Sequence, residues 1–235
     1  MKVEIWSDIA CPFCYIGKRR FEEALEQFPH KDQLQVEWRS FQLNPDLKDG
    51  VYANLEEYLS KTKGWPVEKV RQIQAHVTEM AAGNGLEYQM DKTVLANTYH
   101  AHRLIQMAKV AGKGDEMEEV LFRAYFMEGK NVADHATLIE LGVQVGLDAD
   151  AVADVLKQHT YASQVQLDIM EAKAIGVTGV PFFVMNRRYA VSGAQESEAF
   201  LQTLDKSFAE WQQQQSETLV QVNGGETCEL GGDCA

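Results

Sequence analysis

Two cysteines lie close together near the start of the chain, in the stretch SDIACPFCYIGKRRFEEALEQF at residues 7–28. Pro12 follows Cys11, and proline is favoured at the first position of a helix because its missing N–H is not needed there. Cys11 is therefore expected at a helix N-terminus, where unpaired N–H groups and the helix dipole favour a negatively charged sulfur. This placement predicts a nucleophilic thiolate at Cys11.

The helical period gives Cys14 a different position from Cys11. At about 100° per residue, Cys14 shares a face with Phe21, Leu25 and Phe28, and this apolar face predicts burial. Cys11 lies at the edge of that face and is expected to be exposed to solvent. Thiol–disulfide exchange requires such an asymmetry, with an accessible thiolate that attacks and a shielded thiol that resolves the mixed disulfide. A zinc site is an alternative use of the pair, although it needs two more ligands.

A second cysteine pair lies at the end of the chain, where Cys228 and Cys234 are separated by five residues. The last twenty residues hold four glycines and no lysine or arginine, which predicts a flexible tail. We expect this pair to be an auxiliary redox pair that exchanges with Cys11 and Cys14. An ordinary chain end with incidental cysteines is the alternative.

Composition limits the classes of partner. The chain has 235 residues and a net charge of −13, and such an acidic surface would repel nucleic acids and anionic membranes. Its apolar runs are all shorter than the roughly 20 residues that span a bilayer. The first residues, MKVEIWSDIA, alternate like a strand rather than forming the apolar core of a signal peptide. We therefore expect a cytoplasmic protein, in which structural disulfides are uncommon.

Periodicity along the chain predicts an α/β fold. A strand at the N-terminus is followed by a helix over 12–28 and a strand over 34–43, and then by a block of helices that begins at Leu55. An apolar run PFFVM, a turn at NRR and a second run YAV indicate a hairpin, and SEAFLQTLDKSFAEWQQQQ is a closing helix. Without the helical block, the remaining elements form a mixed sheet with helices on both sides.

Three motifs, SDIACPFCYIGKRRFE, GVTGVPFFV and YAVSGAQ, together resemble the DsbA-like thioredoxin-fold oxidoreductases, and most closely their cytoplasmic FrnE-like branch. The stretch NTYHAHRLIQMA is similar to the helical insertion of that branch. The resemblance implies a thioredoxin fold with a large all-helical insertion and a flexible C-terminal tail. The implied boundaries are 1–48 and 160–215 for a discontinuous thioredoxin-like domain, 49–159 for the insertion and 216–235 for the tail.

The resemblance also implies roles for individual residues. Cys11 would be the attacking thiolate and Cys14 the resolving thiol. Pro181 would be cis and would face the cysteines, with Val180 just before it, so that the backbone of this pair can bind an extended substrate as an added strand. From base rates alone, Pro181 would instead be a trans residue that starts a strand.

Several further residues are candidates for the surroundings of the site. Pro12 and Phe13 separate the cysteines, and because Pro-Phe also occurs in glutaredoxin-type sites, redox direction and glutathione use stay open. Asn97 lies on the apolar stripe of the predicted helix TVLANTYHAHRLIQMAKVAG, where a buried amide must bond either to backbone near the site or to another helix. His102 lies off that stripe, either as a thiolate-stabilising residue or as an exposed histidine without a role. Tyr58 is expected in the core.

The sequence therefore predicts a thiol–disulfide oxidoreductase that acts on protein or small-molecule thiols and disulfides, with disulfide isomerase activity as a further expectation. No metal or cofactor is expected beyond the redox-active cysteines, although glutathione could be a co-substrate. The alternative is a glutathione-dependent isomerase or transferase of the 2-hydroxychromene-2-carboxylate isomerase and kappa glutathione transferase type, whose members typically carry serine where Cys11 stands. A non-enzymatic metal-binding thiol protein is a third possibility. The sequence does not indicate an oligomeric state.

Overall fold

The computed structural model describes residues 1–48, 52 and 54–216. Within them, four strands form one mixed sheet in the order β2-β1-β3-β4, in which β1 pairs parallel with β2 and antiparallel with β3. The strands are β1 Lys2–Ser7, β2 Gln35–Ser40, β3 Phe182–Met185 and β4 Tyr189–Ser192. The predicted hairpin is confirmed, since β3 and β4 pair antiparallel around a turn in which Asn186 and Arg187 have positive φ.

Two long helices cover one face of the sheet. They are α1 Pro12–Gln27 and α9 Ser197–Ser216, and they pack against each other. Side chains from both helices meet those from the sheet in one buried cluster, whose aromatic members are Phe21, Phe28, Trp38, Phe183, Phe200 and Phe208. Because the chain runs from β1 through a short turn into α1, Cys11 lies beyond the carboxyl end of β1, one of the two interior strands.

The other helices lie between the two halves of the sheet in sequence. Their bounds are α2 Leu55–Lys63, α3 Val67–Ala82, α4 Tyr99–Val110, α5 Gly114–Phe126, α6 His135–Gln144, α7 Ala149–Gln158 and α8 Ala162–Ala174. The architecture is a thioredoxin fold with a helical insertion. A second buried cluster joins the start of α1 to α4, α5 and α6, so the inserted helices pack directly on the cysteine segment. The boundaries of the insertion and of the tail stay predictions.

One helix is shorter than the sequence pattern indicates. The predicted helix begins at Thr93, whereas α4 begins at Tyr99, and Asn97 therefore precedes the helix. The Asn97 side chain accepts a hydrogen bond from the Tyr99 N–H at 2.9 Å, in a turn that competes with helical geometry. Among the helices that the structure describes, none combines the length and the apolar character needed to cross a bilayer.

Candidate active site

The two N-terminal cysteines lie in the first turn of α1 and are both free thiols. Cys11 is the N-cap residue and Pro12 is the first helical residue, as the sequence predicts. Cys14 is completely buried. Burial raises the pKa of the Cys14 thiol, and a hydrogen bond and charge from Cys11 raise it further.

The predicted exposure of Cys11 is wrong, because only 4% of this residue is accessible. Its cover comes from a distant part of the chain, since the Cys11 thiol donates a hydrogen bond of 3.4 Å to the Val180 carbonyl. Phe13 is the more exposed residue of the motif, at 37%. Both cysteines are therefore buried, and they differ in their surroundings. Cys11 borders a cavity, whereas Cys14 lies within the protein.

The loop before β3 lies against the start of α1. The Val180–Pro181 peptide bond is cis and Val180 touches Cys11, so the predicted geometry of this loop is confirmed. The carbonyl of Pro181 accepts a hydrogen bond of 2.9 Å from the Gly193 N–H, which ties the loop to the end of β4. Pro181 packs over Gly17 on α1, where a Cβ atom would approach the Pro181 Cγ to 3.0 Å.

Tyr88, from the segment before α4, holds the backbone between the two cysteines. Its hydroxyl donates a hydrogen bond of 2.7 Å to the Pro12 carbonyl, and its ring stacks on those of Tyr15 and Phe126. Burial raises the pKa of Tyr88, and the neighbouring Cys11 adds to the rise. The phenol therefore stays protonated and keeps donating this bond.

Asp8 connects three segments at the edge of the site. Its backbone carbonyl accepts a hydrogen bond of 2.9 Å from the Cys11 N–H. Its carboxylate accepts one of 2.7 Å from the Leu43 N–H and one of 3.3 Å from the Ala10 N–H. The carboxylate is buried, and these bonds fix the turn that presents Cys11.

His102 is buried, at 1% accessibility, and the expectation that it lies off the packed face of its helix is wrong. Its Nε2 atom lies 3.4 Å from Asp8 Oδ1. Burial alone would lower the pKa of His102, but the neighbouring acidic groups, Asp8 first and then Glu118 and Asp168, together outweigh this effect and the pKa is raised. His102 thus contacts the residue that orients Cys11, and not the sulfur itself.

Asn97 binds the loop after β2, and not another helix. Its amide donates hydrogen bonds of 2.9 Å to the Pro45 carbonyl and 3.1 Å to the Leu47 carbonyl, and its oxygen accepts one of 3.1 Å from Gln42. Leu43, which binds Asp8, belongs to the same loop. Asn97 therefore supports the site indirectly, through the loop whose Leu43 N–H binds Asp8.

An apolar cavity of about 390 Å³ opens onto Cys11. Its wall includes Tyr58, Trp65, Tyr125 and Val180. Tyr58 is only half-buried and lines this cavity, so its expected place in the core is wrong. A cavity with such an apolar lining can accommodate an apolar group that lies next to a sulfur bonded to Cys11.

Cys228 and Cys234 lie outside the described residues. Within the described residues, no three His, Cys, Asp or Glu side chains are grouped so that they could hold a metal ion. The roles of both cysteine pairs, and the expectation that the protein needs no metal, stay predictions.

Residues 2–205 match the model of the DSBA-like thioredoxin domain family. The chain belongs to this family. An uncharacterized protein of Bacillus subtilis, YwbO, is 30% identical over 189 residues, which cover 78% of this chain and 86% of YwbO.

Solved structures of DsbA-type proteins share the fold of this DSBA-like chain. A probable DsbA oxidoreductase from Streptomyces coelicolor is 39% identical, with a TM-score of 0.87 over 100% of this chain and 98% of that one. The cytosolic disulfide reductase DsbM from Pseudomonas aeruginosa has a TM-score of 0.61 at 17% identity over 92% and 99% of the two chains. A 2-hydroxychromene-2-carboxylate isomerase has a TM-score of 0.63 at 14% identity over 94% and 100%. At 17% and 14% identity, the likeness to DsbM and to the isomerase shows a shared fold only.

Sequence reasoning about this DSBA-like chain missed two polar residues that bind the cysteine segment, Asp8 and Tyr88. Asp8 had a usable signal, because an Asp four residues before the proline that starts a helix favours a turn. Tyr88 carries no comparable local signal, since it meets the site only through the packing of the inserted segment on α1.

Proposed function

We propose that the protein is a thiol–disulfide oxidoreductase in which Cys11 attacks and Cys14 resolves. The observation that carries this proposal is the position of Cys11, which begins α1, touches the Val180 carbonyl and borders the apolar cavity. Unpaired N–H groups at the start of α1 favour a thiolate at that position. Cys14, one turn further on and fully buried, is shielded from substrate.

In the reducing direction, the Cys11 thiolate attacks one sulfur of a substrate disulfide. The substrate S–S bond breaks, a mixed disulfide forms on Cys11, and the first substrate thiol leaves with a proton from solvent. The Cys14 thiolate then attacks the Cys11 sulfur and releases the second substrate thiol. The products are a Cys11–Cys14 disulfide and a substrate that has gained two electrons and two protons, and the reverse sequence oxidises a dithiol.

The backbone at Val180 is the proposed binding edge for an extended substrate. A peptide that pairs with this edge would bring its own sulfur next to Cys11, because the Val180 carbonyl and the Cys11 thiol are already in contact. The apolar cavity would take the group next to that sulfur. Protein or small-molecule thiols and disulfides are thus the proposed partners, with the cytoplasm as the proposed location.

Likeness to the Streptomyces coelicolor protein, a probable DsbA oxidoreductase, supports this proposal at 39% identity. Disulfide isomerase activity would use the same first step, with resolution by a substrate thiol in place of Cys14. Glutathione as a co-substrate would follow the same chemistry.

Substitution of each cysteine tests the proposal. Cys11→Ser is expected to abolish reduction of a disulfide-bonded protein, because no thiolate is left to attack. Cys14→Ser is expected to accumulate a mixed disulfide between Cys11 and substrate, visible by mass spectrometry under non-reducing conditions.

The same variants distinguish the oxidoreductase proposal from the alternative function. A glutathione-dependent isomerase or transferase does not need Cys14, so an undiminished turnover in Cys14→Ser, without a trapped mixed disulfide, would contradict the oxidoreductase proposal. Alkylation supplies a second criterion, since a reagent that modifies Cys14 before Cys11 would reverse the assigned roles.

A further inference from the structure

The Pro12 carbonyl, between the two cysteines, accepts a hydrogen bond that its helix does not require. In an α-helix this oxygen is the acceptor for the N–H four residues further on, at Ile16. The Tyr88 hydroxyl donates to the same oxygen at 2.7 Å. A carbonyl oxygen has two lone pairs and can accept both bonds. The Tyr88 bond is therefore an addition to the backbone of the motif, and the disulfide exchange set out above does not use it.

The position of Tyr88 is fixed by packing. The residue is 6% accessible. Its ring centroid lies 6.2 Å from that of Tyr15 and 4.7 Å from that of Phe126, and the two pairs stack at interplanar angles of 20° and 21°. A buried ring in such a stack cannot turn its hydroxyl away from Pro12 unless the stack is broken. The inserted segment, and not the cysteines, thus holds this bond in place.

Cys11 needs different partners in its two protonation states. As a thiol it donates a hydrogen bond of 3.4 Å to the Val180 carbonyl, and its side chain does not cap α1. A thiolate has no proton to donate and is repelled by a carbonyl oxygen, so it needs a donor instead. For an N-cap residue, the donors within reach are the N–H groups of the second and third helical residues, which here are Phe13 and Cys14.

Phe13 supplies the better placed of these donors. The Cys14 N–H is bound to the Cys11 carbonyl at 3.0 Å, and the N–H of Cys11 itself is bound to the Asp8 carbonyl at 2.9 Å. Pro12 has no N–H. The Phe13 N–H belongs to the first helical turn, so it has no intrahelical partner and points toward the helix N-terminus, where Cys11 lies. It also belongs to the same peptide group as the Pro12 carbonyl, on the side opposite the oxygen that Tyr88 binds.

We propose that Tyr88 is a positioning residue that stabilises the Cys11 thiolate through the Pro12–Phe13 peptide group. The hydroxyl draws electron density toward the Pro12 oxygen and makes the Phe13 N–H a stronger donor, because hydrogen bonds in a chain polarise one another. The proton that Cys11 loses goes to solvent. Tyr88 thus favours the reduced motif over the disulfide, in which no sulfur is charged. This inference rests on the proposed function, since it concerns the thiolate that attacks.

The charges around Tyr88 do not offer another route to the same effect. The titratable groups that face it all lie on α1 or at its N-cap, and they are Cys11, Cys14, Tyr15 and Arg19. At the Cys11 end, Asp8 is the acidic neighbour, with His102 beside it. Tyr88→Phe leaves every one of these groups in the chain. A difference between this variant and its parent therefore reports the Tyr88 hydroxyl.

The test compares Tyr88→Phe with a full-length parent in which Cys228→Ser and Cys234→Ser remove the tail thiols. Alkylation of Cys11 by iodoacetamide is followed by mass spectrometry as a function of pH, and its midpoint measures the thiolate. Polarisation adds about 10–30% to the strength of a hydrogen bond. Tyr88→Phe is expected to lower the thiolate population about threefold below the midpoint, which raises the midpoint by about 0.5 pH unit.

The equilibrium of the Cys11–Cys14 disulfide with dithiothreitol gives a second measurement, made above the alkylation midpoint. In Tyr88→Phe the disulfide is expected to become about threefold harder to reduce, which corresponds to a fall of about 15 mV in reduction potential. A hydroxyl with only a structural role would affect Tm and leave both the midpoint and this equilibrium unchanged.

Tyr15→Phe is the matched control, because Tyr15 stacks on Tyr88 while its own hydroxyl donates to Glu119. It should keep the midpoint and the disulfide equilibrium of the parent. An unaltered midpoint in Tyr88→Phe overturns the inference, and so does an equal shift in Tyr15→Phe, which would assign the effect to the stack.

A measurement on the parent protein keeps the inference testable if Tyr88→Phe does not fold. With ¹⁵N-labelled phenylalanine, the Phe13 amide proton is expected to move downfield as Cys11 ionises, with the same midpoint as alkylation. A Phe13 amide that does not respond overturns the inference. Failure of the oxidised parent to form a Cys11–Cys14 disulfide would instead overturn the proposed function.

Discussion

Gly17 offers a way to move the Val180–Pro181 loop without touching a thiol. It lies on α1 where the helix passes under this loop, and an added Cβ would stand 3.0 Å from Pro181 Cγ, 3.5 Å from Phe183 Cζ and 3.6 Å from Ala194 Cα. Ordinary contacts begin at 3.4 Å, so Gly17→Ala requires the Pro181 ring to move by about 0.4 Å.

Two opposing effects set the change in the free energy of unfolding. Alanine is more favourable than glycine inside a helix by about 1 kcal/mol. Overpacking of a tight contact costs about 1–3 kcal/mol. The net loss is therefore about 1 kcal/mol, which corresponds to a fall in Tm of roughly 2–4 °C for a chain of this size.

The effect on activity should be larger than the effect on stability. A misplacement of 1 Å at a reacting centre costs about 10²-fold, so a displacement near 0.4 Å should lower kcat/KM for a disulfide substrate by roughly five- to tenfold. The loop, and with it the Val180 carbonyl that contacts Cys11, is the part that moves.

Gly142→Ala is the matched control for Gly17→Ala. A Cβ at Gly142, on α6, would approach Val152 Cγ2 to the same 3.0 Å, far from the cysteines in sequence and on a different helix. Both variants should lose similar stability in thermal unfolding, and only Gly17→Ala should lose activity. Equal activities in the two variants, measured by stopped-flow reduction of a disulfide-bonded peptide, would refute the proposed role of the loop.

Three further predictions concern other parts of the protein. Pro181→Ala should slow the release of mixed disulfides several-fold while leaving alkylation of Cys11 intact, and unaltered release would remove the loop from substrate docking. Truncation after Val222 should slow re-reduction of the oxidised active site if the tail pair exchanges with it, and unchanged rates by mass spectrometry would leave the tail without a redox role. His102→Gln should destabilise the protein most below the unfolded pKa of about 6.5, because the Asp8 carboxylate raises the folded pKa of His102 and this stabilisation is lost as pH rises through that folded value. Denaturant midpoints for His102→Gln that differ equally from those of the parent protein at pH 5.5 and pH 9 would contradict this.

The sequence by itself determined the features that depend on neighbours along the chain. Pro12 fixes the start of α1 and therefore the place of Cys11, because the preference for proline at the first helical position is local. The helical period placed Cys14 on the buried face of the same helix. The hairpin after Pro181 follows from two short apolar runs around a turn, which is also local information.

Only the tertiary structure decided what covers and supports the cysteines. Cys11 is buried by Val180, which lies 169 residues away, so no periodicity within α1 could indicate it. His102 and Glu118 are polar residues that a single-helix pattern assigns to the surface, yet both are buried where α4 packs on α5. A polar side chain can be buried when its surroundings offset the cost of leaving water, and those surroundings come from other elements that a pattern along one helix does not contain.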